Sequence, residues 1–309
     1  MTAPLRAAVV GVGHLGAFHA EKYSALQNVE LVGVVDSDTD RAKAVAQRLQ
    51  TQPFASHRDL FGKVDCVSLA VPTSLHYGLA RELLERDIDV LVEKPMTSNL
   101  LEGRALVESA ERRGRILQVG HLERFNPAIR ALRDIVTKPR FIECHRLAPF
   151  VERGTDVDVV LDLMIHDLDI ILSVVHEEVE SVEAVGVPVL SESTDIANAR
   201  LHFTDGCIAN ITASRVTMKQ ERKIRLFQSD TYVSVDYSSK HVQVYRRRLV
   251  DGQATIDVEE RDIAGDALFD EIEHFVEMVR TRQRPLVDGR VALRALEVAE
   301  WIRSRMQSA

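Results

Sequence analysis

The sequence predicts a two-domain α/β protein: an N-terminal doubly wound parallel sheet, then an α+β domain with a mostly antiparallel open sheet. Three observations predict it. Short β-branched runs alternate with helix-length periodic segments up to about residue 120. Longer strands of alternating polarity then take over. The length of 309 residues suits about two domains. The change of pattern itself divides the chain into 1–121 and 122–309.

In the first part, apolar runs fall at Ala7–Val10, Leu31–Val35, Val67–Val71, Val90–Val92 and Ile116–Val119. Between them lie the helix-like segments His14–Leu26, Asp38–Leu49, His76–Arg86 and Asn99–Arg113. Strands apolar at consecutive positions and separated by helices belong to a parallel sheet covered on both faces. In the second part a helix-like stretch, Asn126–Val136, precedes a strand at Phe141–Leu147 and a very apolar helix at Val159–Val175. Strands are then expected at Val182–Val189, Ile196–Phe203, Cys207–Ser214, Lys223–Gln228, Thr231–Asp236 and His241–Arg247. Thr204-Asp205-Gly206 is a hairpin signal, because Asp-Gly fits the positive-φ positions of a tight turn. Strands following a single helix suggest an antiparallel α+β domain. Helices at Ala267–Arg282 and Arg290–Arg305 close the chain.

Composition removes several function classes. Hydrophobic residues are 45% and charged residues 28%, the balance of a globular protein and not of a disordered one. With 39 Lys+Arg against 47 Asp+Glu the net charge is −8, and no basic block offers a nucleic-acid footprint. No run approaches the ~18 apolar residues of a membrane span. MTAPLRAAVVGVG passes straight into a strand and glycine pattern, which leaves no room for a signal peptide. Cys66, Cys144 and Cys207 are odd in number, widely spaced and without a CxxC, so neither a disulfide framework nor a zinc site is expected. The expected setting is reducing and cytoplasmic.

Gly11-Val12-Gly13-His14-Leu15-Gly16 follows the first strand and opens the first helix. In that context the glycines permit a tight turn and close backbone approach, with a pyrophosphate on the helix N-terminus. Asp36-Ser37 ends the second strand. A carboxylate there accepts both ribose hydroxyls of an adenosine and repels a 2′-phosphate, favouring NAD over NADP. Arg41 can stack on adenine or reach a phosphate, which keeps dual use open. The bland alternative is a plain strand–helix turn.

Two further segments close predicted strands, at the sheet end where such folds bind ligands: Ala70-Val71-Pro72-Thr73-Ser74-Leu75-His76 and Glu93-Lys94-Pro95. Proline holds Lys94 extended, and a lysine placed there can donate to a substrate oxygen. The alternative is a lysine that only neutralises Glu93. On the apolar helix, at roughly 100° per residue, Asp158, His166 and Asp169 fall within about 40° of Asp162, and Asp167 lies away from them. That acidic and imidazole stripe is expected to face water, a partner or a substrate. Asp162 and His166, at i and i+4, can act as a carboxylate-oriented general base. Helix capping with ion pairs is the alternative; metal ligation has the ligand types but no spacing signature, so no metal is expected. His19, His57, His176, His202 and His274 carry no pattern and are expected as surface or satisfied core residues. Trp301 and Phe275 are expected as core or interface anchors, and Cys66 as a small buried hydrophobe.

Together GVGHLG with Asp36, AVPTSLH, VLVEKPMTSN, QVGHLERFNP and DLMIHDLD resemble, in order, the motifs of the glucose–fructose oxidoreductase, inositol dehydrogenase and rhizopine-catabolism (Gfo/Idh/MocA) family. The resemblance implies an NAD-binding Rossmann domain and a second domain whose open sheet mediates homodimer or homotetramer formation. It implies Lys94 as the catalytic EKP lysine with a cis Lys94–Pro95 bond, and Asp162 and His166 as the D-x-x-x-H pair. Val71, Pro72, Thr73 and His76 would line the nicotinamide half of NAD, and Glu93 would lie beside it. His121, Arg124 and Asn126 would meet cofactor and substrate. Thr155-Asp156-Val157-Asp158-Val159-Val160 replaces the glycine-rich stretch of many members, which turns the expectation away from a simple sugar. GHLERFNPAI and DLMIHDLDIIL are similar to members acting on nucleotide-linked amino sugars. The implied reaction is NAD-dependent oxidation at C3 of UDP-N-acetylglucosamine or a similar sugar, preparing a 3-keto product for transamination in lipid A synthesis. A dehydrogenase of a free sugar or inositol, a glycosidase that recycles NAD, and a non-catalytic NAD(H) sensor remain as alternatives.

Overall fold

The computed structural model describes residues 3–150 and 157–306. They form two compact units, Met1–Leu122 with Leu268–Arg294, and Glu123–Ala267 with Ala295–Ala309. The second expected domain, 122–309, is therefore not continuous: a C-terminal segment packs with the first unit.

The first unit holds six parallel strands: β1 (Leu5–Val10), β2 (Val29–Val35), β3 (Gln52–Phe54), β4 (Cys66–Leu69), β5 (Asp89–Glu93) and β6 (Leu117–Gly120). Their order is β3-β2-β1-β4-β5-β6, which reverses between β1 and β4 and opens a ligand crevice at the carboxyl ends there. Helices α1 (His14–Ala25), α2 (Thr39–Leu49), α3 (Thr73–Glu85) and α4 (Leu100–Arg113) cross between strands. Asp38 and Asn99 cap α2 and α4 with their side chains, and Gly114 ends α4 at φ +60°. Helix α7 (Ala267–Thr281) shares a core with this sheet because Ile272, Phe275, Val276 and Val279 pack with Ala7, Val9, Tyr23, Val34 and Leu91. Each such large buried side chain stabilises by roughly 1.5–3 kcal/mol. Arg282, paired with Asp89 at 2.5 Å, fixes the end of that helix.

The second unit holds eight strands: β7 (Phe141–Leu147), β8 (Val179–Val187), β9 (Ile196–Phe203), β10 (Ile208–Ser214), β11 (Glu221–Phe227), β12 (Thr231–Asp236), β13 (His241–Val250) and β14 (Gln253–Asp262). Their order is β14-β13-β12-β11-β7-β10-β9-β8, antiparallel except for the parallel pair β7–β10. Gly206 takes the expected positive φ in the β9–β10 turn, at +86°. One sheet face buries Ile142, Cys144, Ile224, Leu226, Val233, Val242 and Val244. The other carries a row of stacked, half-buried rings, Phe141, Phe227, Tyr232 and Tyr245, with centroids 5.5, 4.9 and 5.5 Å apart. The expected Asn126–Val136 helix is α5 (Pro127–Arg130) continued by a 3₁₀ turn, Ala131–Asp134. The apolar helix is a π-helical turn, Val160–Met164, that runs into α6 (Ile165–Val174). Helix α8 (Gly289–Met306) begins in the first unit and ends in the second. No described helix is long and apolar enough to cross a membrane.

Candidate active site

In the first unit a groove of about 420 Å³ collects Gly11, Gly13, Asp36, Ser37, Arg41, Val71 and Pro72. The glycines fit it for separate reasons. Gly11 has φ +84°, and a Cβ there would collide with the Ala70 carbonyl oxygen; one on Gly16 would strike the Gly11 carbonyl. Among the described residues, a Cβ on Gly13 would meet only Arg41 Nη1, at 3.8 Å, so this glycine keeps its part of the groove open. Helix α1 starts at His14 with no described side chain capping it, so its first N–H groups suit an anion. His14 and Leu15 are exposed at that end, and Gly16 is buried.

Asp36 is positioned by backbone donors: Val12 N–H reaches Oδ2 at 2.8 Å and Asp38 N–H reaches Oδ1 at 2.9 Å. Arg41 Nη1 stands 3.4 Å from both oxygens. A carboxylate so held at the end of β2 has the charge and place to accept ribose hydroxyls. Ser56 and His57 also line the groove. His57 contacts Glu82 at 2.9 Å, and its role was not legible in the sequence. These features fit NAD: an open helix N-terminus for the pyrophosphate and an anchored acid for the ribose.

The loop after β5 carries the lysine. Lys94 is half-buried, and the Lys94–Pro95 bond is cis. His76, on α3 whose first residue is the buried Thr73, holds this loop: Nδ1 lies 2.9 Å from the Pro95 carbonyl and Nε2 2.9 Å from that of Val71. Burial lowers the His76 pKa below its usual 6.5, against the pull of the two carbonyls. Glu93, expected beside the cofactor, has its carboxylate engaged by His19 at 3.0 Å and by the Lys94 N–H at 3.3 Å. His121 is buried after β6, its N–H donating to the Val119 carbonyl.

In the second unit Asp162 and His166 are half-buried neighbours, one turn apart on the run from the π turn into α6. Single π turns inside helices occur often at functional sites. The expected four-member stripe is corrected. Asp158 caps the run, accepting from Val160 N–H at 3.0 Å and Leu161 N–H at 3.1 Å, and pairs with Arg303 at 2.6 Å. Asp169 is buried and paired with Arg124 at 3.2 Å. The i→i+5 winding between them breaks the uniform periodicity on which the stripe rested. Asp167 is fully buried against Arg146. Arg124 and Asn126 are thereby occupied within the fold: Asn126 caps α5 through Ala128 N–H at 3.1 Å and donates to Glu123 and to the Tyr237 carbonyl. Of the segment Thr155–Val160, Thr155 and Asp156 lie outside the described residues.

The Gfo/Idh/MocA profile described as "oxidoreductase family, NAD-binding Rossmann fold" matches residues 5–121, and the C-terminal domain profile of the same family matches residues 134–234. The chain is 39% identical over 308 residues to the UDP-N-acetylglucosamine 3-dehydrogenase of Acidithiobacillus ferrooxidans, covering 98% of each. A solved structure of that enzyme superposes with a TM-score of 0.93 at 38% identity, over 99% of both chains. A scyllo-inositol 2-dehydrogenase (NAD(+)) of Bacillus subtilis is 29% identical over 95% of this chain and 92% of its own. The chain belongs to the Gfo/Idh/MocA family of oxidoreductases and is an NAD-dependent enzyme acting on CH–OH groups.

Proposed function

We propose that the protein oxidises a secondary hydroxyl of a nucleotide-linked amino sugar, namely C3 of UDP-N-acetylglucosamine. The observation that carries this reading is the 39% identity to a UDP-N-acetylglucosamine 3-dehydrogenase across 98% of both chains. The inositol dehydrogenases match at lower identity. Bound NAD supplies the hydride acceptor. His166 takes the hydroxyl proton and Asp162 orients its imidazole, and Lys94 is the hydrogen-bond donor that the family motif supplies for the negative charge that develops. A 3-keto sugar is a substrate for transamination, which suits a place in lipid A synthesis.

Three free, buried cysteines favour a reducing, cytoplasmic setting. The half-buried aromatic row on the second unit's open face favours a homodimer or homotetramer through that sheet; a sedimenting mass of one chain would remove this part. The mechanism is tested by Lys94→Ala and His166→Ala. Each should lower NADH formation by about 10²–10⁴-fold while NAD affinity changes little. Full turnover by both variants would take these residues out of the reaction.

A further inference from the structure

The run that carries Asp162 and His166 has its starting point set from outside the helix. A helix begun one residue earlier would bond the Leu161 N–H to the Val157 carbonyl, four residues back. Instead the Leu161 N–H goes to the Asp158 side chain at 3.1 Å. The Val157 carbonyl accepts Nη1 of Arg215, the residue after β10, at 3.0 Å. The Val159 N–H donates to the Thr194 carbonyl, also at 3.0 Å. Asp158 therefore stands as the cap, and its carbonyl receives the Asp162 N–H at 2.9 Å.

Arg215 is buried and is itself held in place. Its Nε donates to Asp195 Oδ1 at 2.9 Å, and Nη2 to Ser193 Oγ at 2.6 Å and Ser191 Oγ at 3.1 Å. The other oxygen of Asp195 accepts three consecutive backbone N–H groups, from Val189 to Ser191, at 2.6–2.8 Å. Burial pushes the Asp195 carboxyl up, but these bonds outweigh it and hold the group well below the usual carboxylate range. The planar guanidinium is thus a fixed fork, with one side on the β8–β9 connection and one nitrogen on the helix start.

The winding beyond that start is not α throughout, because the Ile165 N–H reaches the Val160 carbonyl five residues back. A π turn is rare beside the α turn and lasts where its surroundings hold it. The Arg146–Asp167 pair holds the far end, and Arg215 holds the near one. With the Val157 carbonyl released, the start is free to slip by one residue. One residue is about 100° of helix, enough to turn Asp162 away from His166.

We propose that Arg215 is a positioning residue for the Asp162–His166 pair: by occupying the Val157 carbonyl it fixes the residue at which the helix begins and keeps the π turn in register. The inference deepens the proposed reaction and rests on His166 acting there, yet one arm of its test needs no sugar.

The experiment compares two variants. Arg215→Lys keeps a positive charge for Asp195 but lacks the branch that reaches Val157. Ser193→Ala removes a partner of Nη2 and leaves the Val157 bond. Hydrogen–deuterium exchange of the peptide over 159–166, followed by mass spectrometry in the NAD-saturated protein, reads the helix start. In Arg215→Lys this exchange should speed up by about tenfold, as for one lost buried hydrogen bond. With UDP-N-acetylglucosamine its kcat should fall by roughly 10²-fold while KM for NAD stays the same. Ser193→Ala should keep both at the parent values. A merely structural arginine would raise exchange across the whole sheet alike and leave kcat unchanged. Where Arg215→Lys fails to fold by circular dichroism, Arg215→Gln combined with Asp195→Asn removes both charges and carries the same expectation. Parent-like exchange over 159–166, or parent kcat, in the folded variant overturns the proposal. Because exchange is read without a sugar, it decides the matter even where UDP-N-acetylglucosamine fails as substrate.

Discussion

Arg146 sets its guanidinium in two parallel bonds on Asp167, Nε to Oδ2 at 2.9 Å and Nη2 to Oδ1 at 3.1 Å, one residue after His166. Its remaining Nη1 donates to Glu123 at 3.2 Å, and the plane lies 5.3 Å from the Tyr237 ring centre. Burial alone would pull the Arg146 pKa down, and the two carboxylates outweigh it. The strand β7 thus holds α6 through a paired charge in the core, and His166, the proposed general base, inherits that anchorage.

Breaking this pair from one side should be expensive. Arg146→Met leaves Asp167 buried and uncompensated, a loss of ~3–5 kcal/mol in unfolding free energy. Adding Asp167→Leu should recover part of it, since the paired charges leave the core and only Glu123 stays without its Arg146 contact. Urea unfolding of the three proteins checks this; equal stability of the single and double variants would contradict it.

Cofactor choice should rest on Asp36. Asp36→Ser removes an ionised acceptor, and hydrogen bonds to charged groups contribute ~1.5–3 kcal/mol. NAD affinity should fall by about 10–100-fold, and the disadvantage of NADP should shrink. Titration calorimetry with each dinucleotide reads both, and an NAD preference that survives the substitution would exclude Asp36 as its source.

Acid sensitivity should appear at His76. Its folded pKa is lowered below 6.5 by burial, so the unfolded chain binds this proton first as pH falls. The contribution of the neutral ring is whole above pH 6.5 and declines below it, until the folded pKa is passed. The stability gap between the parent protein and His76→Gln should therefore narrow from about pH 7.5 to about pH 5.5. Denaturation midpoints at a pH series measure the gap; one that stays constant would contradict the assignment.

Much of the fold was legible because burial follows simple periods. Phe141–Leu147, Ile196–Phe203 and Thr231–Asp236 were readable to the residue. Strand β3 was missed, being three residues long with Pro53 inside. Strand β14 was missed although Asp251-Gly252, at φ +52° and +79°, repeats the hairpin signal and Ile256 and Val258 alternate with acids. The apolar face of α7 announced burial but not which sheet would bury it.

At the site, glycine chemistry and strand ends were local signals, so the NAD groove could be read directly. The stripe on the D-x-x-x-H helix failed at Asp169 because a π turn is invisible to a fixed angle per residue. His19 was passed over as patternless, although it shares with Gly16 and Ala20 the inward face of α1. A polar side chain on that face required a buried partner, and that was the available clue.

The central claim is oxidation of a UDP-linked amino sugar, and absorbance of NADH at 340 nm reads it most directly. The purified protein with NAD is offered UDP-N-acetylglucosamine, UDP-glucose, free N-acetylglucosamine and myo-inositol in parallel. Accumulation of NADH with UDP-N-acetylglucosamine, and not with the free sugars, is the expected result. NADH formed only from inositol or a free hexose, or tight NAD binding with none formed from any of them, would contradict it.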